Sequence, residues 1–187
     1  MHDPWIGPDY AHANVKLLVM GESRYDEDFS DRQVIELRIN QKFPGRQRRT
    51  FTNFERAVLG QDYSESQAQN FWNATIFYNY NLSFFPGQPR MPLARRTRED
   101  PQNAKSLRRI LHDLEPTHAI VWGIGNWSSV HTGSGWTDAF IPGTDERYSS
   151  LKVDTHATFF TGMTHPSTAF SSKKCTPILL RFLELRS

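Results

Sequence analysis

The chain of 187 residues has a single cysteine, Cys175. One thiol cannot form an internal disulfide, nor can it supply the roughly four thiolates of a cysteine-only zinc or iron–sulfur site. Long apolar runs are lacking too, since no stretch approaches the roughly 18 residues of a membrane-spanning helix. The histidines show no spacing typical of a metal site. We therefore expect a cytoplasmic protein that does not bind a membrane and has neither a metal site nor a cofactor.

Lysine is scarce relative to arginine: the chain has 6 Lys and 16 Arg, and its formal net charge is +2. The planar guanidinium group matches the oxygens of a phosphate, so clustered arginines favour a nucleic-acid partner. Many arginines fall in two segments rich in proline or glycine, and each segment is expected to be a loop. The first contains Arg46, Arg48 and Arg49, and the second contains Arg90, Arg95, Arg96 and Arg98. Solvated surface remains the alternative interpretation of both clusters.

Short β-type runs alternate with helical patterns along the whole chain. The runs are Lys16 to Met20, Ala74 to Tyr78, Ala119 to Trp122 and Ala157 to Thr161. The helical patterns cover Arg32 to Asn40, Phe51 to Leu59, Gln102 to Leu114 and Thr176 to Leu185. Such alternation predicts one α/β domain over residues 1–187 with a parallel sheet. The irregular stretch from His131 to Ser150 predicts a surface loop or a small hairpin.

Two of the expected strand ends carry residues suited to catalysis. Glu22 follows the first run, where a carboxylate can orient a water molecule or stabilise positive charge on a sugar. His165 follows the last run. Pro166 restricts the conformation of its loop, and the Ser167 side chain is expected to hydrogen-bond to the backbone. The carboxyl ends of parallel strands share one edge of a sheet, so the two side chains are expected to meet at one crevice.

A third strand end carries Asn79, whose amide offers both donors and an acceptor to the pairing edge of a base. A turn-forming asparagine is the alternative interpretation. The glycines Gly123 and Gly125 follow the third run, but Ser128 stands where a dinucleotide fingerprint needs its third glycine. Binding of a nucleotide cofactor is therefore disfavoured.

In chain order, these motifs resemble the series found in the uracil-DNA glycosylase superfamily. They are Gly21-Glu22-Ser23-Arg24-Tyr25, the strand-end Asn79, Trp122-Gly123 and His165-Pro166-Ser167. The resemblance implies a three-layer α/β/α sandwich around a four-stranded parallel sheet. It also implies a monomeric enzyme that binds DNA, flips a nucleotide out of the helix and cleaves its N-glycosidic bond without a cofactor.

The resemblance assigns a role to each candidate residue. Glu22 would position water and stabilise an oxocarbenium-like sugar, while His165 would stabilise the departing base anion. Asn79 would read the base, and Phe51 or Phe54 would stack on it, with Phe51 favoured because it lies nearer the loop. The remaining base contacts would come from Ser23 and Tyr25, and DNA contacts from Arg24, Arg48, Arg49, Arg95, Arg96, Ser167 and Phe170.

Three positions depart from the pattern of the family. Ser23 stands where many relatives carry aspartate or asparagine, so Glu22 must serve as the carboxylate. Arg24 replaces a usual proline and could reach a phosphate or a polar substituent of an unusual base. Phe170 lies near the position of the leucine wedge in relatives, and it could fill the gap left by the flipped base.

These departures leave several functions open. The base could be uracil or another altered pyrimidine, or a bulky hypermodified cytosine in phage DNA, and the role could be repair or antiviral defence. A noncatalytic DNA-binding module with the same fold is a further alternative. An unrelated α/β hydrolase is disfavoured, because no serine lies in a Gly-x-Ser-x-Gly elbow.

Removal of both Arg95 and Arg96 is expected to weaken DNA binding and to flatten its salt dependence, because arginine contacts to phosphate release counterions. The measurement is the slope of log Kd against log salt concentration. An unchanged slope would mean that these two arginines make no phosphate contact.

Overall fold

A computed structural model describes residues 4–22, 30–42, 45–81, 100–168 and 170–186, with the side chains of the second helix described from residue 48 onward. The strands are β1 Trp5–Ile6, β2 Leu17–Gly21, β3 Thr75–Asn79, β4 His118–Trp122, β5 Trp136–Phe140, β6 Arg147–Val153 and β7 His156–Met163. The α-helices are α1 Asp31–Ile39, α2 Gly45–Leu59, α3 Glu65–Asn73, α4 Pro101–Leu114, α5 Ile124–Val130 and α6 Ser172–Leu183. No helix in these ranges is long and apolar enough to cross a membrane.

The seven strands form one mixed sheet in the order β1-β3-β2-β4-β7-β6-β5. The four middle strands, β3, β2, β4 and β7, run parallel to one another. Strand β1 pairs antiparallel at one side, and β5 and β6 pair antiparallel at the other. All four parallel strands therefore end at the same edge of the sheet, which we name the carboxyl edge.

The predicted α/β class is confirmed. Each of the four predicted runs is a strand, shifted by one or two residues, but the sheet has seven strands where the resemblance implied four. The added β5 and β6 form a hairpin over residues 136–153. It begins inside the stretch from His131 to Ser150, for which a loop or small hairpin was predicted. Strand β5 is mostly exposed at the sheet margin, so it lacks the apolar run that revealed the buried strands.

Helices pack on both faces of the parallel strands. In β2, Leu17 and Val19 join a cluster with residues of α1, α2, α3 and α6, whereas Leu18 and Met20 join one with residues of α4 and α5. Successive side chains of a strand point to opposite faces, so these two clusters lie on the two sides of the sheet. Burial on both faces explains why β2 to β4 are continuously apolar in the sequence.

Two helices were not predicted, α3 and α5. A sequence signal for α3 existed, because Ser64 and Gln67 form a capping box in which each side chain accepts from the other residue's backbone N–H. Helix α5 is only seven residues long, and so short a segment gives little periodicity to recognise.

A buried ion pair joins α1 to α2. Glu55 is fully buried and accepts hydrogen bonds from Arg38 Nε at 2.6 Å and from Arg38 Nη2 at 2.8 Å. Its carboxylate also accepts from Trp72 Nε1 at 2.7 Å and from the Tyr63 hydroxyl at 2.6 Å. Removing one partner of such a pair leaves an uncompensated charge in the protein interior. The relative placement of α1, α2 and α3 thus depends on Glu55.

Glu55→Gln is expected to lower the free energy of unfolding by about 3–5 kcal/mol, because the buried Arg38 charge would lose its buried partner and keep only Glu65. Denaturant unfolding measures this change. The matched control is Glu65→Gln: Glu65 also bonds Arg38, at 2.9 Å, but its side chain is 47% exposed. The control should cost less than about 1 kcal/mol. Equal losses for the two variants would contradict the assigned role of the buried pair.

Candidate active site

The carboxyl edge brings together Glu22, Asn79 and His165. Asn79 is the last residue of β3 and pairs in register with Gly21, the residue before Glu22. His165 lies two residues beyond the end of β7. Strand β4 lies between β2 and β7, so the strands that carry Glu22 and His165 are about 10 Å apart, twice the usual strand spacing. The end of β4 lies between the two residues, and Gly123, directly after β4, lies close to the His165 side chain.

Buried asparagines fix the backbone around Glu22. Both the backbone N–H and Nδ2 of Asn81 donate to the Glu22 carbonyl oxygen, at 3.0 and 2.6 Å. Asn103 of α4 in turn donates to Asn81 Oδ1 at 3.2 Å. On the other side, Asn126 of α5 donates through Nδ2 to the carbonyl oxygens of Gly21 and Trp122, at 3.1 and 3.3 Å. The end of β2 is therefore held from both neighbouring strands.

The contacts of His165 determine which ring nitrogen carries the proton. The backbone N–H of Ser167 donates to Nδ1 at 3.2 Å, and the Ser167 hydroxyl lies 2.8 Å from the same atom. A nitrogen that accepts a hydrogen bond has no proton, so the neutral ring carries its proton on Nε2. Burial of the ring lowers its pKa from the ordinary value. The group is thus a neutral Nε2–H donor at pH 7.

Local contacts keep the His165 loop in one conformation. Both the backbone N–H and Oγ1 of Thr168 donate to the His165 carbonyl oxygen, at 3.0 and 2.8 Å. Asn53 of α2 donates through Nδ2 to the Pro166 carbonyl oxygen at 2.8 Å. The Trp122 ring contacts the imidazole edge-on, with centroids 5.9 Å apart. The loop is held as expected, but the Ser167 hydroxyl contacts the ring rather than the backbone.

Asn79 is buried beside a carboxylate that the sequence did not reveal. Asp31, the first residue of α1, accepts from the Asn79 backbone N–H at 2.9 Å and from Asn79 Nδ2 at 2.7 Å. The amide oxygen of Asn79 lies against Gly21, where a Cβ atom would overlap it. Position 21 therefore requires glycine, and Asn79 lies directly beside the chain that leads to Glu22.

The aromatic candidates are packed in the protein interior, and Phe54, the alternative to Phe51, is fully buried. Phe51 is 5% exposed, and its ring centroid lies 5.3 to 5.7 Å from those of Trp72, Phe77 and Trp122. Phe170 is half-buried and packs against the same hydrophobic cluster. Each side chain would have to leave part of this packing to contact DNA, and their roles in stacking and wedging stay predictions.

Two of the candidate arginines are exposed near the His165 loop. Arg48 and Arg49 face solvent and lie in the first half of α2, so the loop predicted for this cluster is wrong: the helix begins already at Gly45. Arg49 is one helical turn before Asn53, so both project from the same side of the helix. Because Asn53 bonds Pro166, this side of α2 borders the loop. Phosphate binding by these arginines stays a prediction.

Other candidate residues lie outside the part of the chain that the structure describes. They are Ser23, Arg24, Tyr25, Arg95 and Arg96, together with Arg90 and Arg98 and the side chain of Arg46. Within the described ranges, no group of three or more His, Cys, Asp or Glu side chains is arranged to hold a metal ion.

Sequence reasoning missed the polar residues that support the site. Asp31, Asn81, Asn103 and Asn126 are all buried. Asn81 follows Asn79 by two residues, but Asp31, Asn103 and Asn126 stand in the first turns of helices, where such residues are ordinary caps. Only the capping box of Ser30 and Gln33, which fixes the start of α1, offers a signal for the position of Asp31.

His165 is expected to titrate with a pKa below the usual 6.5 and to carry its proton on Nε2 when neutral, because burial disfavours the charged ring and Ser167 bonds Nδ1. NMR spectra of the ¹⁵N-labelled imidazole across pH 4–8 measure both properties. Exposed His12 serves as the internal control. A proton on Nδ1, or a midpoint at or above 6.5, would contradict the assigned state.

Comparison with known proteins finds no protein-family model that the chain matches and no curated protein that matches it. The chemistry of the carboxyl edge is therefore argued from its own residues and geometry.

Proposed function

We propose that the protein is a monofunctional DNA glycosylase. It cleaves the N-glycosidic bond of a flipped-out uracil or other altered pyrimidine and leaves an abasic site. The observation that carries the proposal is the placement of Glu22 and His165 at one sheet edge with a single strand between them. This arrangement offers a carboxylate and a neutral imidazole donor at the same edge, one strand apart.

The two residues act on opposite parts of the substrate. As the bond from C1′ to the base nitrogen breaks, its electron pair moves onto the base, and His165 Nε2–H donates to a base oxygen that gains negative charge. The Glu22 carboxylate stabilises the positive charge that grows on the sugar and orients a water molecule. The water oxygen bonds C1′, and its proton passes to the carboxylate.

A neutral imidazole is suited to this step. A charged ring would attract the phosphates of the DNA whether or not the bond had broken, whereas a neutral Nε2–H strengthens its hydrogen bond as the base becomes an anion. Burial lowers the pKa of His165 and so keeps the ring neutral. The bond from Ser167 to Nδ1 directs the proton to the other nitrogen.

The surroundings of these two residues support a base and DNA as the substrate. Asn79 lies next to Glu22 on β3 and reads the base, and exposed Arg48 and Arg49 contact phosphates beside the His165 loop. Helices pack on both faces of the sheet, which supports the three-layer α/β/α sandwich with four parallel strands that the resemblance implies. The identity of the base depends on the residues that follow Glu22, among them Arg24 and Tyr25, so bulky hypermodified cytosines belong in the test.

Glu22→Gln is expected to slow base release at least about 100-fold while leaving DNA affinity within about threefold, because the variant lacks the charge needed at the sugar. Released bases are identified by mass spectrometry after incubation with DNA carrying uracil, hydroxymethylcytosine or glucosylated hydroxymethylcytosine. The matched control is Glu36→Gln, a carboxylate of α1 that is 42% exposed and pairs with Arg32. The control should match the unchanged protein.

Different outcomes separate the alternative functions. If Glu22→Gln releases the base as fast as the unchanged protein, Glu22 is not a catalytic residue. If the unchanged protein releases none of the three bases yet binds DNA in a salt-sensitive way, a noncatalytic binding module is the better description. Strand cleavage without alkali or heat would contradict a monofunctional enzyme.

A further inference from the structure

A buried carboxylate lies beside the candidate base-reading residue. Asp31 is 1% exposed at the start of α1, and Asn79 is 8% exposed at the end of β3. The Ser30 side chain accepts from Gln33 N–H, and the Gln33 side chain accepts from Ser30 N–H. This capping box fixes the first turn of α1 and with it the backbone of Asp31. The carboxylate is therefore presented to the sheet from a rigid element.

Two hydrogen bonds fix the orientation of the Asn79 amide. Asp31 Oδ2 accepts from the backbone N–H of Asn79, and Asp31 Oδ1 accepts from Nδ2. Both oxygens of Asp31 accept hydrogen bonds, so it is Nδ2, rather than Oδ1, of Asn79 that faces Asp31. The opposite orientation would place two oxygens against each other in a buried setting, which is unfavourable.

The same contacts place the amide oxygen against the end of β2. Asn79 Oδ1 lies against the Cα atom of Gly21, on the side where any other residue would place its Cβ. Gly21 precedes Glu22 and pairs in register with Asn79. The atom that Asn79 offers beside Glu22 is thus an acceptor, while its amide nitrogen is engaged with Asp31.

We propose that Asp31 is a positioning residue that makes Asn79 an acceptor for the base and so selects bases with an N–H donor on their pairing edge. The selection of a base rests on the proposed glycosylase function, whereas the fixed amide orientation does not. Uracil offers N3–H and cytosine derivatives offer an exocyclic amino group, so both satisfy Asn79 Oδ1. A base with only acceptors at that edge would face Oδ1 with a lone pair and leave both groups unpaired.

The first test addresses the amide orientation without any substrate. In ¹⁵N-labelled protein, one Nδ2 proton of Asn79 is expected to exchange with solvent at least about tenfold more slowly than the side-chain protons of exposed Asn70. The protection should disappear in Asp31→Ser, which keeps a short polar group but cannot bridge both donors. Equal exchange of Asn79 and Asn70 in the unchanged protein would overturn the proposal.

The second test compares base release from DNA carrying uracil with release from DNA carrying 2-pyrimidinone, which has no N–H donor on its pairing edge. The unchanged protein is expected to favour uracil at least about 100-fold in kcat/KM. In Asp31→Asn, the new amide donates to Asn79 and turns Nδ2 towards the base. The preference for uracil over 2-pyrimidinone should then fall at least about tenfold.

The ratio of the two rates separates positioning from simple loss of structure. Each base leaves at its own intrinsic rate, but that rate cancels when the ratio is compared between variants. Asp138→Asn, on exposed β5, is the matched control and should keep the ratio of the unchanged protein. A variant of Asp31 that loses both rates equally, with an unaltered ratio, would overturn the positioning role.

The two tests fail in distinguishable ways. If the unchanged protein releases none of uracil, hydroxymethylcytosine and glucosylated hydroxymethylcytosine, the proposed function fails and the base selection fails with it, while amide exchange still decides the orientation. If uracil and 2-pyrimidinone are released equally by the unchanged protein, the glycosylase function stands and the selection is wrong. If Asp31→Asn does not fold, the same ratio is measured in Asp31→Ser. There the preference for uracil over 2-pyrimidinone should also fall, but uracil should remain the preferred base.

Discussion

The backbone groups where parallel strands end need hydrogen-bond partners once the ladder stops, and in this protein buried side chains supply them. Asn81 and Asn126 donate to the carbonyl oxygens of Glu22 and Gly21, and Asp31 accepts from the Asn79 N–H. Burying an unpaired polar group costs more than a made hydrogen bond gains, so these amides and this carboxylate fix the strand ends in one arrangement. Everything proposed for Glu22 and Asn79 depends on that arrangement.

The helices that carry these partners are themselves tied together by charge. Arg38 and Glu55 form a buried pair between α1 and α2, and Trp72 connects the pair to α3. Helix α1 brings Asp31 to one side of the carboxyl edge, while α2 brings Asn53 to the Pro166 carbonyl on the other. A change in the packing of α1 against α2 would therefore move the supports of Asn79 and His165 together, which links stability to the geometry of the site.

The surroundings of Glu22 and of His165 differ in how they use hydrogen bonds. Around Glu22, the side chains of Asn81 and Asn126 donate to backbone carbonyl oxygens and so fix the position of the backbone. Around His165 the backbone of Ser167 bonds the ring and determines which nitrogen keeps the proton. Both are forms of preorganisation, in which the polar groups are oriented before a substrate arrives and need little rearrangement during bond cleavage.

The α/β class and the places of four strands followed from the sequence alone, and with them the expectation that Glu22 and His165 lie at one edge of the sheet. Buried strands are apolar on both faces, so runs of apolar residues in the sequence predict them. Parallel strands end at the same edge of the sheet, so the residues that follow such runs are expected there. The positions of Asp31, Asn103 and Asn126 did not follow, because a polar residue in the first turn of a helix has the same local pattern whether it caps the helix or bonds a distant strand. Only tertiary packing, which buries those residues against strand ends far away in the chain, decided that they hold the site.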